Sequence, residues 1–276
     1  MRTESTSTFP DGVTVSHVDF TSGTALEVAL RGHDFLMITL AGNTPPELHS
    51  RIVKAAIAAK VPYIMPNSYG YSVTNTKLAA DEVYTGMSAA KAKEVEQLGG
   101  NWIAMVCGCW YEPLFFQIHG DNSFGIDIKK RSVTFFDDGL ARVQVSTWNR
   151  CAEALASLLS LPESGTSPAV QDWKNKDFGF QSWNISQRDI LDSLNRVMGL
   201  TDADWAIRYE KTEDRVNEGR EALKKGDRSG FAKAMYSRFF YKGGDTEYET
   251  CNKVLGLEDE EFDEQTKRIV DVILAA

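Results

Sequence analysis

The sequence predicts an α/β protein whose N-terminal part is built on a parallel sheet. Strand-like and helix-like runs alternate from residue 13 to residue 107, the pattern of strands joined by right-handed helical crossovers. Three of the strand runs are apolar along their whole length: Phe35-Leu-Met-Ile-Thr39, Val61-Pro-Tyr-Ile-Met65 and Trp102-Ile-Ala-Met-Val-Cys107. Each closes in loop residues, as in Leu40-Ala-Gly-Asn43 and Pro66-Asn67-Ser-Tyr-Gly70. A chain of 276 residues buries enough surface for one large domain or two closely packed ones.

A polar Ser/Thr-rich start ends in the turn signal Phe9-Pro-Asp-Gly12, after which Val13–Val18 reads as a strand and Gly23–Arg31 as a helix closed by Gly32. Thr44 is the expected N-cap of the next helix, with Pro45 at its first position. That helix runs to about Lys60 with Leu48, Ile52, Ala55 and Ala59 at helical spacing. A polar helix over Ser88–Leu98 precedes the Trp102–Cys107 strand. Arg131–Phe136, Asp137-Asp-Gly139 and Leu140–Gln144 read as a hairpin turning at Asp-Gly. Ser146 or Thr147 caps a helix over Trp148–Leu159, and Phe178–Trp183 is a strand. Ser186 caps a helix to about Met198, with Asp189 completing a weak capping box. Trp205–Tyr209 is a short strand, two charged helices over Thr212–Ala234 break at Gly226-Asp227, and Leu257–Ile273 is the last helix. Its acidic start, Glu258–Glu264, charges the helix N-terminus.

Bulk properties narrow the function classes. A net charge of −9 argues against nucleic acid or an anionic membrane as a partner. No apolar run approaches the roughly 18 residues of a membrane span, and no signal peptide is visible. Four cysteines, Cys107, Cys109, Cys151 and Cys251, fit reduced thiols in the cytoplasm, and Cys-x-Cys at 107–109 lacks the usual metal spacing. No metal is expected. No Gly-x-Ser-x-Gly elbow supports hydrolysis.

Eight segments in order carry a resemblance: Phe9-Pro-Asp-Gly-Val13, Ile64-Met-Pro-Asn-Ser-Tyr-Gly70, Cys107-Gly-Cys-Trp-Tyr-Glu112, Phe124-Gly-Ile-Asp-Ile-Lys-Lys-Arg131, Phe135-Phe-Asp-Asp-Gly139, Ser146-Thr-Trp148, Ile185-Ser-Gln-Arg-Asp189 and Gly219-Arg-Glu-Ala-Leu-Lys-Lys-Gly-Asp227. Across nearly its whole length the chain resembles the NmrA-like/isoflavone reductase family of atypical short-chain dehydrogenases, fungal members especially. The resemblance implies a Rossmann-like NAD(P)-binding region over residues 1–115, and a smaller mixed substrate-binding part over 116–276 interleaved with the sheet. It implies an NADP(H)-dependent oxidoreductase of small organic molecules in fungal secondary metabolism, acting as a monomer or homodimer. Two readings of other classes stand beside it: a non-catalytic NADP-sensing regulator, and a redox-neutral isomerase or cyclase.

The sequence departs from the family pattern in two places. The family opens with a strand, a Gly-x-x-Gly-x-x-Gly turn and a helix; Met1-Arg2-Thr3 resembles the end of the second strand, so about 35 residues of the pattern are expected to be missing. That turn supplies the backbone donors that cradle a pyrophosphate, so cofactor binding itself is in question. The family's catalytic lysine aligns with Ser88, and Lys91 stands one helical turn later.

By the resemblance, Arg2 and Thr3 meet the adenosine 2′-phosphate, Asp19 and Phe20 the adenine, and Thr39, Leu40, Ala41 and Gly42 the cofactor at a strand end. Asp19 also fits a solvated acid closing a strand. Asn67, Cys107, Gly108, Cys109 and Trp110 line the nicotinamide, with Tyr71 and Tyr111 in the substrate pocket. Trp110 and Tyr111 fit core packing equally well. The candidate proton donors are Tyr69, Ser88, Lys91 and His119; His17, His33 and His49 read as structural or surface residues.

Overall fold

A computed structural model describes residues 5–41, 44–115, 117–118, 121–243 and 245–275. The N-terminal half runs α1 (Gly23–Leu30), β1 (Phe35–Met37), α2 (Pro46–Ala58), β2 (Tyr63–Met65), β3 (Tyr69–Gly70), α3 (Thr76–Asp81), α4 (Val83–Gln97), β4 (Ile103–Val106) and β5 (Cys109–Trp110). Then come β6 (Gln117–Ile118), β7 (Asp121–Asn122), β8 (Ile126–Asp127), β9 (Ser132–Phe136), β10 (Arg142–Ser146), α5 (Trp148–Leu159), β11 (Lys176–Gly179), β12 (Trp183–Ser186) and α6 (Gln187–Met198). The chain ends in β13 (Ala206–Glu210), α7 (Thr212–Lys224), α8 (Ser229–Phe239) and α9 (Phe262–Ala275).

The parallel sheet is present as expected. β1 pairs with β2 in parallel, Leu36 opposite Ile64, and a parallel bridge from Ile64 to Trp102 carries the pairing on to the β4 strand. β3 and β11 flank β4, both parallel to it, so the C-terminal half supplies one strand of this layer. One face packs on α1, α2 and α4 through Leu26, Ile52, Val53, Ala56 and Val95. The other buries Tyr63, Met65, Ile103 and Met105 against Ala154 and Leu158 of α5. A third apolar cluster, with Phe124, Phe135, Leu191 and Phe240, forms the core of the C-terminal half.

Local chemistry explains most helix ends. Thr147 accepts the Arg150 N–H at the start of α5. Ser186 and Asp189 make a reciprocal capping box on α6, and Gly199 ends it at φ +65°. α4 starts earlier than the polar run suggests, because the Glu82 carboxylate accepts the N–H groups of Tyr84 and Thr85.

Four expectations are corrected. Val13–Val18 does not form a strand: Val18 alone makes a bridge, and Val13 and Val15 stay exposed. α2 begins at Pro46 after Pro45, with no side-chain cap. β9 and β10 do not form a hairpin. Both edges of β9 are taken, by β8 and β13, while β10 pairs with β5 and β12. Asp137 instead turns the corner between sheets: its N–H donates to Glu210 O at 2.8 Å and its carboxylate accepts from the Thr212 hydroxyl at 2.8 Å. The last helix starts at Phe262 rather than Leu257, because the Glu260 carboxylate is tied to α5 and the loop before β12.

α7 and α8 cross at two glycines. A Cβ on Gly230 would lie 2.2 Å from Gly219 O, and one on Gly219 would lie 2.6 Å from Ala234 N. These obstacles are backbone atoms, so a methyl group drives the helices apart. Gly230→Ala is expected to cost about 3 kcal/mol, read as a lower urea midpoint at unchanged slope.

Candidate active site

Parallel strands deliver their carboxyl ends to one side of the sheet, where open α/β folds collect ligands. Here the ends of β1 and β2 are joined through one side chain. The Asn67 carboxamide accepts the Leu40 N–H at 3.1 Å and donates to Leu40 O at 3.2 Å. The Asn67 backbone is held as well: Lys91 Nζ donates to its carbonyl at 2.7 Å, and its N–H donates to His49 Nε2 at 3.5 Å. His49 Nδ1 lies 3.0 Å from Glu94 Oε2, and the Ser50 hydroxyl donates to Glu94 Oε1. Beside this hub the Tyr69 hydroxyl donates to Ile38 O at 2.6 Å and sits 3.4 Å from the Thr39 hydroxyl. The Tyr84 hydroxyl donates to Tyr69 O at 3.1 Å.

Helical geometry explains how Lys91 arrives there. Thr85, Ser88, Ala92 and Val95 form the buried stripe of α4, and Lys91 and Glu94 flank it on the side facing α2 and the strand ends. Half-burial holds the Lys91 ammonium below the ordinary lysine value of 10.5. Tyr69 is pushed up to about 12 by burial, with a smaller opposing effect from Thr39. His49 titrates below 6.5, because burial outweighs the pull of the Glu94 carboxylate.

The structure sorts the residues singled out in the sequence. Lys91, Asn67, Tyr69, Thr39 and Leu40 come together; Thr39 and Ala41 are exposed. Ser88 does not reach the strand ends: it is buried under α4 beside the Tyr84 hydroxyl, so a proton-donating role for it is set aside. The Tyr69 hydroxyl donates to Ile38 O, and burial makes it a weaker acid than an ordinary tyrosine. Tyr71 is a core residue with its ring 4.3 Å from that of Phe239, and Tyr111 is wholly buried, its hydroxyl 2.7 Å from that of Thr266. Neither faces open space.

Cys107 and Cys109 are buried thiols, and burial pushes Cys109 up to about 12. Gly108 has φ +64°, and a Cβ there would lie 2.1 Å from Gln144 O, so this turn packs on protein backbone. Trp110 is 40% exposed and donates its indole N–H to Cys107 Sγ at 3.2 Å. Asp19 is engaged locally, accepting the Thr21 N–H and hydroxyl, and Arg51 of α2 donates to Phe20 O at 2.9 Å. Arg2, Thr3, Gly42 and His119 lie outside the described residues. The sequence reading singled out neither Glu94 nor Tyr84, and it placed His49 among structural or surface residues, where its buried contact with Glu94 fits. His49 and Glu94 sit on different helices, and no spacing rule links them.

No family model matches the chain, and no curated protein matches it. Solved structures do. A protein solved with NADP+ and (+)pinoresinol superposes with a TM-score of 0.70 at 14% identity, over 92% of this chain and 80% of that one. An isoflavone reductase gives 0.69 at 15% identity, over 93% of this chain and 80% of that one. Leucoanthocyanidin reductase from Vitis vinifera gives 0.69 at 12% identity, over 94% and 86%. The chain has the isoflavone-reductase fold.

At the strand ends of this chain Thr39 and Ala41 are open, and Leu40 between them is tied to Asn67, whose carbonyl accepts from Lys91. Among the described residues no glycine-rich turn from strand to helix presents backbone N–H groups to these ends. A groove lies elsewhere, between α1 and α2, lined by Glu27, Glu47, Arg51 and Lys54. No helix among the described residues is long and apolar enough to cross a membrane.

Proposed function

We propose that this protein is an NADPH-dependent reductase of a small organic molecule, working in the cytoplasm, in the fungal secondary metabolism that its sequence resemblance implies. The position of Lys91 carries the reading: an ammonium anchored at 2.7 Å to Asn67 O, at the carboxyl end of a parallel sheet of isoflavone-reductase fold. Four free cysteines among the described residues support the reducing compartment. When bound, the cofactor supplies hydride to a carbonyl or conjugated double bond.

The chain's own residues do the rest. Asn67 ties the ends of β1 and β2, fixing the floor of the crevice. Lys91 spends one of its three N–H donors on Asn67 O; the others are free to stabilise the negative charge that develops on the substrate and then to return a proton. Its lowered pKa makes it the better acid of the cluster.

Titrating NADPH and NADP+ into the purified chain tests the reading. A dissociation constant below about 1 mM, with NADPH consumed in the presence of a quinone or enone, is the expected result. No binding at millimolar cofactor would remove it. Lys91 alone supports one second reading, a redox-neutral isomerase, which would turn over substrate without NADPH.

A further inference from the structure

We propose that His49, oriented by Glu94, is the positioning residue that sets Lys91 at the strand ends, acting through the backbone of Asn67. The inference rests on the reading that the β1–β2 crevice is the active site. The geometry fixes the tautomer. Asn67 N–H can only donate, so His49 Nε2 must be the bare nitrogen; Nδ1 then carries the proton and donates to Glu94. His49 is 4% exposed, so no water replaces either partner cheaply. The carbonyl of the same residue, in the next peptide unit, accepts from Lys91 Nζ. One imidazole therefore pins the backbone on one side of the Asn67 Cα, and the ammonium meets the backbone on the other.

Glu94 closes the loop, standing on α4 one turn after Lys91, so α2 and α4 grip the Asn67 segment from two directions. The charged and titratable groups facing the imidazole are Glu94 and Lys91, both from α4; Ser50 of α2 and the Asn67 peptide complete its surroundings. Protonation puts a second N–H on the imidazole, and the Asn67 N–H then faces a donor instead of an acceptor. The contact breaks from the acid side. Because the folded pKa lies below 6.5, the arrangement is complete at neutral pH and is lost as pH falls through that lower value.

The test uses the full chain without cofactor. Backbone and imidazole NMR follow Asn67 and His49 from about pH 4.5 to 8, the window in which a histidine titrates. The Asn67 amide resonance is expected to move with the His49 midpoint, below 6.5, and Glu94→Gln is expected to lower that midpoint further. His49→Gln keeps an acceptor near the Nε2 position, whereas His49→Leu fills the volume without one. Trinitrophenylation of Lys91 by trinitrobenzenesulfonate, with sulfite as the leaving group and read by mass spectrometry, should then be about 5-fold faster in the leucine variant and near wild type in the glutamine variant, the factor of one ordinary hydrogen bond. An Asn67 amide that stays still while His49 titrates overturns the proposal, as do equal Lys91 rates in the two variants. Should His49→Leu fail to fold, the wild-type titration decides alone. NADPH titration of the same samples separates the two ideas: absent binding with a coupled Asn67 amide removes the reductase reading and leaves the positioning role, and the reverse pattern does the opposite.

Discussion

Lys91→Met is expected to lower kcat by about 10²–10⁴-fold, the range that a positioned proton donor contributes, with the NADPH dissociation constant little changed. Methionine keeps the length and apolar stem of the side chain, so α4 should pack as before. What it removes is the ammonium beside Asn67 O. The pH profile of the wild type supplies an independent check. Burial depresses the Lys91 pKa, so a rate that needs the ammonium is complete at low pH and falls as pH rises through a value below 10.5. Tyr69, at about 12, would place that limb higher if it were the donor. Tyr69→Phe should accordingly change kcat far less than Lys91→Met, since its hydroxyl already donates to Ile38 O. Steady-state kinetics with NADPH and a quinone measures both. A Lys91→Met enzyme with wild-type kcat would end the assignment.

The sequence shows the site as a neighbourhood and hides its wiring. Apolar strand runs and their loop endings place Thr39, Asn67 and Tyr69 on one side of a parallel sheet, because strand direction alone settles where carboxyl ends point. Caps are equally legible: Thr147, Ser186 and Asp189 act within three residues of themselves, and local spacing is all they need. The reach of Lys91 is only half legible. Its place one turn after Ser88 can be counted, but which of the two enters the crevice depends on where α4 begins, and the Glu82 cap sets that. The His49–Glu94 contact joins residues 45 apart on separate helices, and its partner Asn67 is met through backbone atoms that carry no sequence signal. Tyr71 and Tyr111 fail for a related reason. An aromatic after a strand reads the same whether it faces a ligand or Phe239 and Thr266. The Asp137–Gly139 corner misleads because hairpin chemistry describes a turn and says nothing of whether the next strand finds a free edge.

The largest stability effect should come from the acidic run that the sequence assigns to a helix end. Arg150 on α5 is 1% exposed, and the carboxylate of Glu260, 11% exposed, meets it, with Nε 3.3 Å from Oε2. Glu260 also accepts the Thr147 hydroxyl at 2.7 Å and the Ser182 hydroxyl, and its own carbonyl accepts the Trp183 indole N–H at 3.1 Å. It therefore joins α5, the loop before β12 and the segment leading to α9. Glu260→Ala leaves the guanidinium with the Glu258 carbonyl and with Glu153, itself 58% exposed, and strands two hydroxyl donors. The expected cost is about 3–5 kcal/mol, the penalty for a buried charge that loses its partner, measured by urea unfolding. Replacing both partners tells charge from packing. Arg150→Met with Glu260→Leu removes the uncompensated ion, so the pair should lose less than Glu260→Ala alone. A single-variant cost under about 1 kcal/mol would mean that the pair behaves as a surface ion pair despite its burial. α9 gives a second readout, because the ties of Glu260 are what hold its segment out of the helix. Once they are cut, helix is free to propagate toward Leu257, and circular dichroism should show equal or greater helicity in a less stable protein.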